Sequence, residues 1–190
     1  LWRRVLISTF FTVHSTDAVF AFQDNLMSTL RSGGVLNIFG RIYYFLYRCA
    51  CQYKHFKNFS NLCNHEQDFG IKAECHFFAT SHGKGSYDGI GGTLKQKATM
   101  SALKHPYGPF ILNAEDLYNH LKNVGGISVI YLEKGEIAAK TKKDYLKDRY
   151  KMASTVKGTR SYHSFSPCEE NRKCRKYSLS EKSITVKLFQ

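Results

Sequence analysis

Proline is scarce in this chain, with three residues in 190, and tryptophan occurs once. So little proline excludes a collagen-like or Pro-rich linker protein. Acidic residues are also few: 15 Asp plus Glu face 28 Lys plus Arg, for a formal charge of +13. No apolar run approaches the roughly 20 residues that span a bilayer. No membrane partner is therefore expected. Cysteines number six, which is sparse for a disulfide scaffold of this length. Reduced thiols in the nucleus or cytoplasm are expected, not secretion. Hydrophobic residues make up 43% and aromatics 14%, enough for a sizeable core and too much for a disordered chain. The class that survives is a basic, aromatic-rich globular protein with a polyanionic partner, nucleic acid foremost.

The positive charge is uneven. Residues 134–190 hold 15 basic and 6 acidic side chains, whereas residues 1–133 hold 13 and 9. Three segments follow from this: a core over 1–133, a basic helix and short strand packed on it over 134–166, and a flexible basic tail over 167–190. The chain opens on Leu1, which reads as an N-terminal truncation. Arg3-Arg4 before the apolar run Val5–Val13 imitates a signal peptide, but the run contains Ser8, Thr9 and Thr12 and no small-x-small site follows. A short buried strand fits it better.

Periodicity predicts alternating elements. Strands are expected over Val5–Val13, Arg41–Tyr47, Ile71–Thr80 and Gly126–Leu132, with a short one at Thr159–Phe165. Helices are expected over Asp17–Leu30, Gln52–Cys63, Thr93–Leu103 and Ile137–Lys151, with another capped by Asn113. Thr16 or Asp17 suits the first N-cap, and Gly33-Gly34 ends that helix. Arg41–Tyr47 is almost wholly apolar or aromatic and reads as a buried strand. Strands alternating with helices imply an α/β fold with a partly parallel sheet.

The most unusual segment is Ser81–Gly92, read as a glycine-rich loop running into the next helix. Five glycines follow His82 within eleven positions, and Lys84 and Lys95 flank them. Glycine lets backbone approach a ligand closely, and amides at a helix start bind phosphate. The spacing matches neither a Walker A loop nor a dinucleotide fingerprint; a turn that needs glycine for geometry alone explains it equally well. His82 and Asp88 are suited to an acid–base pair or a metal, with Glu74 on the preceding strand. Cys49-x-Cys51, Cys63-x-His65 and Cys75-His76 offer zinc-type ligands, but not at finger spacing. Strand neighbours Cys75 and His76 must point to opposite faces. Lysines interleave with aromatics at Lys54 and again at Lys142, Lys143 and Lys147. Such residues neutralise phosphates, or form an ordinary solvated helix face.

Gln52-Tyr53-Lys54, Phe56–Cys63, Phe69–Glu74 and His76–Lys95 together resemble transposon-encoded proteins of invertebrate genomes, of the DDE transposase type. Asp17-Ala18-Val19, Ala21-Phe22-Gln23, and Gly158–Ser161 with His163 and Phe165 extend the likeness over roughly residues 5 to 166. The resemblance implies an RNase H-like mixed sheet flanked by helices. It implies acids at strand ends that hold two Mg²⁺ or Mn²⁺ ions for attack on a DNA phosphodiester. One such acid lies in a Ser-Asp-Gly motif, and here that place reads Leu46-Tyr47-Arg48. A phenol cannot replace a carboxylate on Mg²⁺ at neutral pH. The resemblance leaves Asp88 as the remaining candidate acid and metal ligand, with His82 and Glu74 near it. Lys84 and Lys95 match family positions that could touch DNA. The expectation is a decayed, non-cutting copy that needs no cofactor, uses Mg²⁺ or Mn²⁺ only if active, and at most binds nucleic acid.

Overall fold

The computed structural model describes residues 7–9, 15–34, 36–46, 53–78, 86–104, 107–108, 110–125, 127–168, 171–176 and 181–187. In chain order the elements are β1 (Ile7–Thr9), α1 (Thr16–Ser32), β2 (Arg41–Leu46), α2 (Phe56–Cys63), α3 (His65–Phe69), β3 (Lys72–Phe77), α4 (Ser86–Lys104), α5 (Ala114–Leu121), β4 (Ser128–Ile130), α6 (Lys134–Thr141), α7 (Asp144–Met152), β5 (Ser164–Cys168), β6 (Asn171–Arg175) and β7 (Ile184–Lys187). The chain divides into two compact units. One comprises residues 1–13 and 83–133, the other residues 14–82 and 134–190. One junction coincides with the change in charge at 133/134.

The smaller unit pairs β1 with β4 in parallel, Ile7 opposite Ser128 and Thr9 opposite Ile130. Its long helix α4 starts at Ser86, so Gly89, Gly91 and Gly92 are helical and the expected loop over their positions is corrected. Each helical glycine costs about 1 kcal/mol against alanine. The helix tolerates this because it runs to Lys104 and anchors on Leu94, which is fully buried.

The larger unit is built on a five-stranded mixed sheet in the order β2-β3-β5-β6-β7. β2 and β3 are parallel, joined through α2 and α3, with Arg41 opposite Lys72 and Leu46 opposite Phe77. β5 returns antiparallel beside β3, Ser164 opposite His76. β5, β6 and β7 then form an antiparallel meander. The expected flexible tail beyond residue 167 is thus corrected: two of its segments are sheet strands. Cys174, between Lys173 and Arg175, points into the core and is buried, which gives β6 the alternation of a half-buried strand. Pro167 lies past the β3 rungs at Cys75 and His76, where a missing N–H deprives no second neighbour.

One sheet face forms the core. Ala73, Cys75, Phe77, Phe165 and Cys174 meet Phe59 and Leu62 of α2, with Tyr44, Leu46 and Val186 at the margin. Phe59 stacks on Phe165 at 4.3 Å, and Phe77 meets Phe165 edge-on at 5.6 Å. The opposite face is not buried in the same way. β2 alternates between exposed and half-buried residues, so the expectation of a buried strand is corrected. Tyr43 is 41% exposed and Phe45 53%.

Local signals set the helix ends. Ser15, not Thr16 or Asp17, caps α1, its hydroxyl accepting from Ala18 N at 3.1 Å. His55 caps α2 through Nδ1, so the helix starts at Phe56 rather than Gln52. Gly70 closes α3 at φ 74°, a left-handed cap favoured by glycine. The single basic helix expected over 137–151 is two helices, α6 and α7, broken at Lys142 and Lys143. Asp24 of α1 holds both sides of the break, bonding Lys140 at 2.6 Å and pairing with Lys143 at 3.8 Å. No described helix is long and apolar enough to cross a membrane.

Candidate nucleic-acid interface

The outward face of the larger unit's sheet is set by strand alternation. Residues paired across the ladder share a face, so Arg41, Tyr43 and Phe45 of β2 lie with Lys72, Glu74 and His76 of β3. On the same side lie Ser164 and Ser166 of β5, both buried, and the half-buried Lys173 and Arg175 of β6, and Lys187 of β7 ends it opposite Asn171. Among the described strand residues this face carries the cations Arg41, Lys72, Lys173, Arg175 and Lys187. Its one carboxylate is Glu74.

Glu74 is committed. Arg41 donates to its Oε1, and His76 Nε2 lies 3.6 Å from Oε2. His76 is buried beneath aromatic rings, with Phe45 stacked on it at 5.2 Å and Tyr43 at 5.8 Å. Burial holds the His76 imidazole below its ordinary pKa, with Glu74 opposing, so it is neutral at pH 7. Phe45 also stacks on Phe78 at 5.9 Å. Arg175 donates to Ser166 Oγ at 3.1 Å. Lys72 approaches Glu66 of α3 only at 3.9 Å, between two largely exposed side chains.

The sequence-predicted residues fall in different places. Tyr47, His82 and Lys84 lie outside the described residues. Asp88 lies in the first turn of α4, in the smaller unit, whereas Glu74 is in the larger. Lys95 is exposed on α4. Lys142 and Lys147 are exposed beside and on α7, but Lys143 is half-buried. Its ammonium sits 5.8 Å from the Phe20 ring. Lys54 is corrected as a phosphate contact. It is 7% exposed and donates to the carbonyls of Thr159 at 3.2 Å and Tyr162 at 2.7 Å, its ammonium 4.8 Å from the Phe77 ring. A lysine so placed ties the turn before β5 to the core.

Among the described residues no group of three or more His, Cys, Asp or Glu side chains is arranged around a cation site. Arg41 already holds Glu74 Oε1, and a divalent ion there would sit against a guanidinium of like charge, so this residue is a poor fit to the divalent site that the resemblance implies. Cys75 is directed into the core and His76 to the other face, so this pair does not chelate zinc. Burial pushes the Cys75 thiol up to about 12, which leaves it protonated and inert.

Two buried polar groupings were not apparent in the sequence. Tyr44 Oη lies 2.8 Å from His65 Nε2, and His65 Nδ1 lies 2.6 Å from Ile71 O. A carbonyl only accepts, so Nδ1 carries the proton and Nε2 accepts from the phenol. Burial raises the Tyr44 pKa and lowers that of His65, the Ile71 bond partly opposing the latter. A histidine with a depressed folded pKa binds its proton more readily when unfolded. Its stabilising contribution is complete above about 6.5 and is lost as pH falls below it. The urea midpoint is therefore expected to drop between pH of about 7.5 and about 5, and His65→Gln is expected to reduce that slope. An unchanged slope in the variant would show that His65 is not a source of it. The second grouping, Arg149 with Asp68, is buried between α7 and α3.

The outward sheet face gives little sign of itself in the sequence: β2 reads Arg-Ile-Tyr-Tyr-Phe-Leu and β6 Asn-Arg-Lys-Cys-Arg, in which inward and outward positions do not separate by polarity. These features define a mixed α/β protein whose sheet has an aromatic and cationic outer face. Within that class the chain belongs to the family described as "Domain of unknown function (DUF8701)", whose model matches residues 4–178. No curated protein and no solved structure matches it.

Proposed function

We propose that the protein is a transposase-like chain that binds nucleic acid, DNA foremost, without cutting it. The observation that carries this reading is the engagement of Glu74 by Arg41 on a sheet face that is otherwise cationic. A surface of this composition attracts phosphates, and its carboxylate serves as a counter-ion where a nuclease would need a metal ligand. The sequence supports the same reading at position 47. It directly follows the last residue of β2, the strand end at which the resemblance expects an acid, and it is tyrosine. An RNase H-like ancestry accounts for the parallel β2–β3 pair followed by a helix that carries Asp88 in its first turn. A nuclear or cytoplasmic location accords with a DNA partner.

The test combines binding and cleavage on the whole chain. Affinity for DNA is expected to fall steeply with salt, because phosphate neutralisation releases counterions. Plasmid and hairpin DNA with Mg²⁺ or Mn²⁺ are expected to stay intact. Turnover above that of an Asp88→Ala control would overturn the non-cutting part, and salt-insensitive or absent DNA binding would overturn the rest.

A further inference from the structure

We infer that the outer face of the five-stranded sheet is a stacking platform for single-stranded DNA. The inference rests on the nucleic-acid reading above and narrows it to one strand state and one surface. Tyr43 and Phe45 occupy alternate positions of β2 on the same face, about 7 Å apart along the strand. Both are substantially exposed, although large aromatics are ordinarily driven inward. Phe45 is braced from the side and below by Phe78 and His76, so its ring is pre-positioned rather than free to collapse. Rings on a sheet reach base faces only when the bases are unstacked from a duplex, which selects a single strand.

The charge pattern fits the same occupant. Arg41 and Lys72 stand opposite each other at the start of β2 and β3, and Lys173 and Arg175 lie across the sheet on β6. Cations therefore flank the aromatic pair on two sides, where a phosphate backbone runs when its bases lie on the rings. An acidic polypeptide would answer the charge alone and would leave the aromatic rings without a role.

The experiment is a fluorescence-anisotropy titration of the full chain. The probes are an oligothymidylate of about 12 nucleotides, within the usual single-strand site size, the matching duplex, and the oligouridylate. Oligothymidylate is expected to bind tightest. Tyr43→Ala and Phe45→Ala are each expected to weaken it between about 5- and 100-fold, the range for losing one stacked base. Tyr43→Phe keeps the ring and is expected to bind as the unmodified chain does. Phe45→Leu keeps the apolar bulk over His76 and is expected to bind weakly while melting normally, which separates lost stacking from lost folding. If neither ring change affects single-strand binding, or if the duplex or polyglutamate competes better than oligothymidylate, the platform is wrong while general DNA binding can stand. Tighter binding of oligouridylate overturns the choice of DNA. If the unmodified chain binds none of the nucleic acids, the parent reading falls as well.

Discussion

Arg149→Ala is expected to destabilise the larger unit by about 3–5 kcal/mol, the usual cost of leaving one partner of a buried ion pair uncompensated. Arg149 donates two parallel bonds to Asp68, at 2.6 and 2.7 Å, and a third to Asn61 Oδ1 at 3.3 Å. Asn61 Nδ2 in turn donates to Tyr150 Oη at 2.9 Å. The Arg149 and Asp68 side chains are only 9% and 8% exposed, so most of what is removed was shielded from water. For a chain of this size the loss corresponds to a melting point lower by about 6–20 °C. The double change Arg149→Met with Asp68→Leu removes both charges and is expected to recover much of the stability. Urea melts of the two single variants and the double variant form the cycle that checks this. A cost below about 1 kcal/mol for Arg149→Ala would mean that the pair is solvated.

Phe165→Ala is expected to be as damaging, again about 3–5 kcal/mol, for an apolar reason. Phe165 is completely buried at the centre of the sheet. It stacks on Phe59, meets Phe77 edge-on, and receives Tyr162 at 6.4 Å. The removed ring leaves a cavity among side chains fixed by two strands and a helix, which have little freedom to close it. Phe165→Leu retains most of the volume and is expected to cost clearly less. A melt of Phe165→Ala that matches the unmodified chain would show that the aromatic cluster contributes little.

Much of the fold was legible in the sequence where the pattern is local. The core of α1 and the position of β3 follow from apolar spacing, and Asn113 caps α5 as expected, its side chain accepting from Asp116 N. The errors arise where tertiary contacts decide. Lys54 looks like a phosphate ligand because lysine next to aromatics is common on binding surfaces. Its burial depends on carbonyls at Thr159 and Tyr162, about a hundred residues away, which no local pattern shows. The β6 and β7 segments look like a solvated tail because most of their side chains are polar. They form strands because Cys174 and Val186 find an existing hydrophobic face. The division of strands between two sheets was equally hidden, since β1 and β4 carry no mark that they pair with each other alone. At the candidate interface, Glu74 was visible as an acid, but its capture by Arg41 depends on the β2–β3 register.

That register has a counterpart on the other edge of β3. Phe77 and His163 exchange contacts at this edge although 86 positions separate them: Phe77 N donates to His163 O at 2.8 Å, and His163 Nδ1 lies 3.0 Å from Phe77 O. During synthesis this edge of β3 must therefore wait while residues 83–133 of the smaller unit and both basic helices are made. Long-range pairings of this kind carry a loop-closure cost before they return any stabilisation, and they slow folding. An exposed strand edge is also a template for pairing with another chain. The β5–β7 meander thus acts as the latch of the sheet: until it is made, the free edge of β3 stays open to pairing with another chain.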